Sequence, residues 1–470
     1  MSSLDATFLA IEDAVNHMHI GSVGVFEGPP PTYAEIERLV ASKLPLVPRY
    51  RQKARLAPAS IGRPVWIDDP HFHLGYHLRH SALPAPGGDD ELRRLVGRVM
   101  SQQLDRHRPL WETWMIEGLD DGCWALITKV HHCMVDGIAG TDLLSVVLDR
   151  SPEGSPPVVD DWQPSPEPGT AELAWHSVSG LARVPFTLGA RAAGLALHPA
   201  TTAQRVVEVG RGATAMGGLL RSVPGSSLTG PIGPHRRWDH ARAEIADVRV
   251  IRHALGGTLN DVVLAAVTRG FRDLLASRGE SLDGRTVRTL VPVSLRTADA
   301  RGVFDNRVSA MFAELPVATA DPIERLEGVR AELDRLKEAG APAAAGVVSQ
   351  AGDLSPPLLT AIFSRIAVHQ QSSVETVTTN VPGPREPLYA CGRRMAEAFP
   401  YVPLAGKVRI GVAIFSYQDA LHFGVTGDYD GAPDLEVLSR GIEAGFAELL
   451  AVSADSPAVP KPRPAASGLG

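Results

Sequence analysis

Cysteine is scarce. Cys123, Cys133 and Cys391 are the three in 470 residues, too few and too irregularly spaced for a disulfide framework or a thiolate metal site. Their odd number favours a reducing compartment. Lysine is scarcer still for a chain of this length, six against forty arginines, a bias of genome composition more than of function. The formal charge of -7 excludes the basic domain of a dedicated nucleic-acid binder. No stretch approaches the ~18 uninterrupted apolar residues that a membrane-crossing helix needs. The opening "MSSLDATFLAIEDAV" carries acids where a secretory signal would carry bases. No G-x-S-x-G elbow occurs, so no serine is presented as a nucleophile. What is left, 44% hydrophobic and 21% charged residues, is the composition of a soluble globular protein expected in the cytosol.

Hydrophobic periodicity divides the chain into mixed strands and helices. "HIGSVGVFEG" reads as a strand closed by a Gly-Pro-Pro turn, and "TYAEIERLVASKL" as a helix opened by Thr32 with Glu35 in a capping box. "HFHLGYHLRH" alternates and predicts a half-exposed strand with His71, His73 and His77 on one face. "DDELRRLVGRVMSQQL" predicts a helix, and "PLWETWMIEGLDDGCWALITKV" two strands about an Asp-Asp-Gly turn. A helix is expected from Thr141. Six prolines between Ser151 and Thr170 predict a solvated linker. Between Val178 and Val223 five arginines and one glutamate fit a helical connector or, second, a basic surface meeting anionic lipid. Beyond Trp238 come a helix with Asn260 or Asp261 at its start, two strands, a helix, a hairpin over 408–430 and a closing helix. These observations predict an α/β (mixed α+β) class: an N-terminal lobe over 1–150, a linker and connector over 151–237, a C-terminal lobe over 238–453 and a disordered tail over 454–470.

The chemistry concentrates in "VHHCMVDGIAG", Val130 to Gly140, where an apolar strand leaves the core. Two core histidines beside a chance Asp-Gly turn is the bland explanation, and a metal site another. Neighbouring side chains on a strand point to opposite faces, so His131 and His132 do not easily share one ion, although His71, His73 or His77 could add a ligand. General-base catalysis explains the residue types best: a neutral imidazole takes a proton from a hydroxyl or amine. Asp136, turned away by the tight turn Gly137 permits, braces the loop. With no nucleophile arranged, direct transfer is favoured over a covalent intermediate.

His-His-x-x-x-Asp-Gly resembles the signature of acyl-thioester-dependent acyltransferases, shared by chloramphenicol acetyltransferases, peptide-synthetase condensation domains and plant acyltransferases. The chain resembles the bacterial wax ester synthase/diacylglycerol acyltransferase family from about Leu4 to Leu450. The matching stretches are "SLDATFLAIED", "PLW" (Pro109 to Trp111), "GPIGPHRRW", Asn260-Asp261, "PVSLR" (ending at Arg296), "NRVSAMFAELPV" and "TNVPGP".

The resemblance implies two similar chloramphenicol-acetyltransferase-like lobes, each with a mixed sheet, meeting at a tunnel. Acyl-CoA would enter as co-substrate from one end and a diacylglycerol or long-chain alcohol from the other, with no further cofactor. His132, second histidine of the motif, becomes the base, and His131, Asp136 and Gly137 shape its loop. Arg296 is expected to pair with Asp136, while Asn260, Asp261 and the Pro109-Leu110-Trp111 stretch are as well explained by capping and packing. Thr379 and Asn380 are candidate donors to the oxyanion. Insoluble substrates imply peripheral attachment to the inner face of the membrane or to lipid droplets. Two alternatives stay open: a condensation-type enzyme acting on carrier-protein thioesters, and an inactive lipid-binding relative.

Overall fold

The computed structural model describes residues 1–56, 62–135, 147–156, 158–169, 171–173, 225–294, 308–338 and 373–454. Asp136, Gly137, Arg296, the helix expected from Thr141, the arginine-bearing stretch 178–223 and the tail beyond 454 lie outside these residues.

Two six-stranded sheets form the frame, beside an antiparallel ribbon of β2 (Gln52–Arg55) and β3 (Val65–Asp68). The first runs β11 (Tyr389–Ala390), β12 (Arg393–Tyr401), β1 (His19–Phe26), β6 (Trp124–His131), β5 (Trp111–Glu117) and β4 (Leu78–Ala82). The second runs β7 (Arg236–Glu244), β14 (Ala420–Asp428), β13 (Ile410–Tyr417), β10 (Thr376–Val381), β8 (Val287–Ser294) and β9 (Val308–Leu315). Both are mixed: β4 runs parallel to β5, and β10 parallel to β8 and β13.

Register assigns the faces of the first sheet. Cross-strand partners share a face, so His19, Gly21, Val23, Lys129, His131, Phe399 and Tyr401 lie together. That face packs on α4 (Asp89–Met100), whose Leu92, Leu95, Val96 and Val99 are buried at helical spacing. The opposite face, with Phe26, Trp124, Leu126 and Val130, packs on α2 (Tyr33–Lys43) through Ile36 and Val40. Thr32 and Glu35 do cap α2 reciprocally, the Thr32 N–H donating to the Glu35 carboxylate at 2.8 Å. Full burial of one such aliphatic or aromatic side chain contributes about 1.5–3 kcal/mol.

In the second sheet Ala241, Phe423, Val425, Val412 and Ile414 face the helices Ile245–Leu255, Leu259–Ser277, Pro322–Glu338 and Leu435–Ala454. The opposite face carries Trp238, His240, Arg242, His422 and Gly424, and meets the first sheet at β12. Contact there is close: a Cβ on Gly424 would lie 1.6 Å from the Pro400 carbonyl oxygen, so only glycine fits. Arg242 adds an ion pair across the sheets to Glu397, with Nη2 to Oε2 at 2.9 Å.

Three expectations are corrected. "HFHLGYHLRH" is not one strand: Leu74–His77 make a helical turn and β4 begins at Leu78, so His77 is buried while His71 and His73 are exposed. The alternating pattern was also compatible with a turn that tucks one histidine under Trp111. The Pro-rich stretch keeps exposed side chains yet is tied to the first lobe. Arg51 donates to Asp160 at 2.8 Å and lies over Trp162, and the Ser165 N–H donates to Asp68 at 2.9 Å. Third, β11 and β12 leave the C-terminal half and complete the first sheet, although the whole of 238–453 reads as one lobe.

Among the described residues no single helix is long and apolar enough to cross a membrane. The bent pair Ile245–Leu255 and Leu259–Ser277 passes by composition, but its apolar residues Val248, Ile251, Val262, Val263 and Phe271 are core.

Candidate active site

β6 delivers the two histidines to opposite sides, as strand alternation requires. The His131 N–H donates to the Leu110 carbonyl at 2.9 Å and the His132 N–H to the Met18 carbonyl at 2.8 Å. A short 3₁₀ turn, His132–Met134, then ends the strand. Pro109-Leu110-Trp111 therefore sets the end of the ladder beside the motif. Trp111 is fully buried, stacks on His77 and Tyr50, and donates its indole N–H to the Tyr50 carbonyl at 2.8 Å.

His131 is completely buried and structural. Its Nδ1 accepts from the Cys133 backbone N–H at 3.1 Å, with the Cys133 thiol 2.9 Å away. The ring proton therefore sits on Nε2, which faces Glu12 Oε2 at 3.5 Å. That distance is long for a hydrogen bond, so the contact is chiefly electrostatic. Glu12 itself is buried, and desolvation pushes its carboxyl up; the neighbouring His131 and Arg106 outweigh burial and hold it at about 2. Arg106 clasps it with Nε at 2.9 Å and Nη2 at 2.7 Å.

His132 is the partly accessible ring of the pair, lying flat on Phe8 of α1 (Ser3–Ile11) with centroids 4.0 Å apart. Burial among protein atoms, with a smaller contribution from the neighbouring His131, pushes its pKa down to about 4. It is neutral near pH 7, the state of a general base. Burial raises the Cys133 thiol well above its ordinary value, so no thiolate competes as nucleophile.

The other sequence-marked residues separate. Thr258, not Asn260 or Asp261, caps the helix Leu259–Ser277; Asp261 completes the capping box by accepting from the Thr258 N–H at 2.6 Å. Asn260 accepts from the Asn380 side-chain amide at 3.3 Å, tying that helix to the end of β10. Register puts Asn380 on the helix face with Thr376 and Thr378, and Thr379 on the face toward the first lobe with Ala413 and Gly424. The two side chains do not converge on one oxygen. The next residue on the Thr379 face, Val381, packs in the cluster that holds Phe8, Cys133 and Met134, so Thr379 is the one turned toward the motif. Among the described residues no group of three or more His, Cys, Asp or Glu could hold a metal. Phe8, Glu12, Met18 and Arg106 escaped the sequence reading; the only signal was that Phe8 and Glu12 stand in "SLDATFLAIED".

Comparison with known proteins identifies the family. Residues 1–263 match the wax ester synthase/diacylglycerol acyltransferase catalytic domain and residues 304–450 the C-terminal domain of the same family. A Mycobacterium tuberculosis protein described as a probable diacylglycerol O-acyltransferase is 40% identical over 463 residues, 96% of each chain. The fold is similar to that of the wax ester synthase/diacylglycerol acyltransferase from Marinobacter aquaeolei, with TM-score 0.68 and 24% identity over 96% of this chain and 98% of that one. It is also similar, at TM-score 0.56 and 15% identity over 97% and 95%, to the first condensation domain of the CDA synthetase, a likeness of fold alone. The chain belongs to the wax ester synthase/diacylglycerol acyltransferase family, and is an acyltransferase.

Proposed function

We propose that this acyltransferase moves a fatty acyl group from acyl-CoA to the hydroxyl of a diacylglycerol or long-chain alcohol, with His132 as general base. The observation that carries the reading is a buried imidazole at a strand end, fixed through its backbone to Met18 and by stacking to Phe8, with no activated nucleophile beside it among the described residues. The acceptor oxygen attacks the thioester carbonyl as its proton passes to His132. The C–S bond then breaks, and the thiolate of CoA takes that proton back from the imidazolium. Holding both substrates together supplies much of the rate. Thr379 is the oxyanion donor in this scheme; Asn380, engaged by Asn260, is not.

Asp136, Gly137 and Arg296 are proposed as supporting residues of the motif, as the family resemblance implies. The enzyme works at the inner face of the cell membrane or on lipid droplets, because acceptor and product are both insoluble in water. Purified protein given labelled palmitoyl-CoA and a panel of diacylglycerols, fatty alcohols and amines tests the reading. Labelled triacylglycerol or wax ester on thin-layer plates supports it; amide products alone would favour the condensation-type alternative.

A further inference from the structure

Four residues make contact with the buried Glu12, three of them at its carboxylate. Glu12 Oε1 accepts from the Met18 N–H at 3.3 Å, and the Met18 carbonyl in turn accepts from the His132 N–H. Glu12 Oε2 faces Nε2–H of His131, whose Nδ1 accepts from the N–H of Cys133. The backbone N–H of Glu12 closes α1 on the Phe8 carbonyl at 3.3 Å, and Phe8 is the ring beneath His132. Arg106 fastens the carboxylate and also donates to the Leu9 carbonyl at 2.8 Å, compensating an anion placed at the negative end of a helix. Residue 132 is thus held by Met18 and lies on Phe8, both tied to Glu12, while the ladder bond to Leu110 holds His131 separately.

We infer that Glu12 is a positioning residue for the His132 base, acting through Met18 on the main chain at His132. This deepens the reading of His132 given above and rests on it. The Cys133 N–H requires an acceptor on His131 Nδ1, so the ring proton stands on Nε2, toward the Glu12 charge.

Glu12→Gln tests this with shape preserved. Arg106 donates twice to the Oε2 position, so the amide oxygen stays there and its NH2 turns to the Met18 N–H, which loses its acceptor. Met18 is pushed away, and the strand end that its carbonyl holds at His132 shifts with it. Misplacement of this kind lowers a rate on the order of 10- to 100-fold. The expected result is a fall of that size in kcat with KM for both substrates within about twofold. ¹⁵N-edited spectra should show the His132 amide, the donor to the Met18 carbonyl, displaced from its wild-type shift. Glu12→Met, of similar shape and with no acceptor for the Met18 N–H, is measured beside it; the Arg106 side chain is 41% exposed and keeps its charge in water, so this variant should fold and show the same fall in kcat. An unmoved His132 amide, an unchanged kcat, or a loss residing in KM would each overturn the inference. Failure of the base assignment is distinguishable, since it shows as activity in His132→Ala whatever the Glu12 variants do to that amide.

Discussion

Phe8 lies against His132 with ring centroids 4.0 Å apart and planes 25° from parallel, so a residue from the first helix covers one face of the imidazole at the end of β6. Burial by such neighbours lowers His132 to about 4. A base works only while neutral, so its rate is lost as pH falls through that value. The profile of kcat/KM should therefore stay flat from pH 8 down to about 5, where an ordinary histidine near 6.5 would already have cut it. Phe8→Ala admits water to the ring and should raise the acid limb toward 6. A wild-type limb near 6.5, unmoved in Phe8→Ala, contradicts this.

Stability should fall with acid over the same window. Burial lowers His132 and His422 to about 4, and lowers His17, His19 and His77 as well. Below about 6.5 the unfolded chain takes up protons that the folded chain refuses, so stability is full above that pH and declines toward 4. Glu12, held at about 2, adds a second loss below its ordinary 4.5. Urea midpoints at pH 7.5 and 5.0 should differ clearly; equal midpoints would count against buried neutral histidines.

Trp111→Phe should cost roughly 1–3 kcal/mol, because the buried Tyr50 carbonyl loses its donor. Trp111→Ala also opens a cavity and should cost about 3–5 kcal/mol. Thermal melts measure both. At low temperature kcat of Trp111→Phe should remain within a few-fold of wild type, since this tryptophan packs the strand end and takes no proton.

Thr379→Val and Asn380→Ala should separate. Loss of an oxyanion donor typically costs 10²–10³ in kcat, so Thr379→Val should fall steeply while KM holds. Asn380→Ala breaks the tie to Asn260 and should chiefly lower the melting temperature. The reverse order would move the oxyanion site to the other face of β10.

Much of this architecture is legible in the residues. Thr32 and Glu35 announce their helix and Asp120-Asp121-Gly122 its hairpin, and the paired histidines mark the candidate site. Local pattern failed where partners are remote. Nothing in "RRMAEAFPY" says that β12 pairs with β1 some 370 residues earlier. Nor does a glutamate in "SLDATFLAIED" reveal that it will be buried between Arg106 and His131. Thr379 and Asn380 stand out in the sequence by residue type, but only register places them on opposite faces.

The central claim is that His132 removes the acceptor's proton. Single-turnover transfer from labelled palmitoyl-CoA to diacylglycerol, compared between wild type and a His132→Ala protein of matching circular dichroism, tests it most directly. General-base catalysis is worth about 10²–10⁴-fold, so the variant should retain less than about a hundredth of the rate. A folded His132→Ala enzyme transferring faster than that would contradict the account.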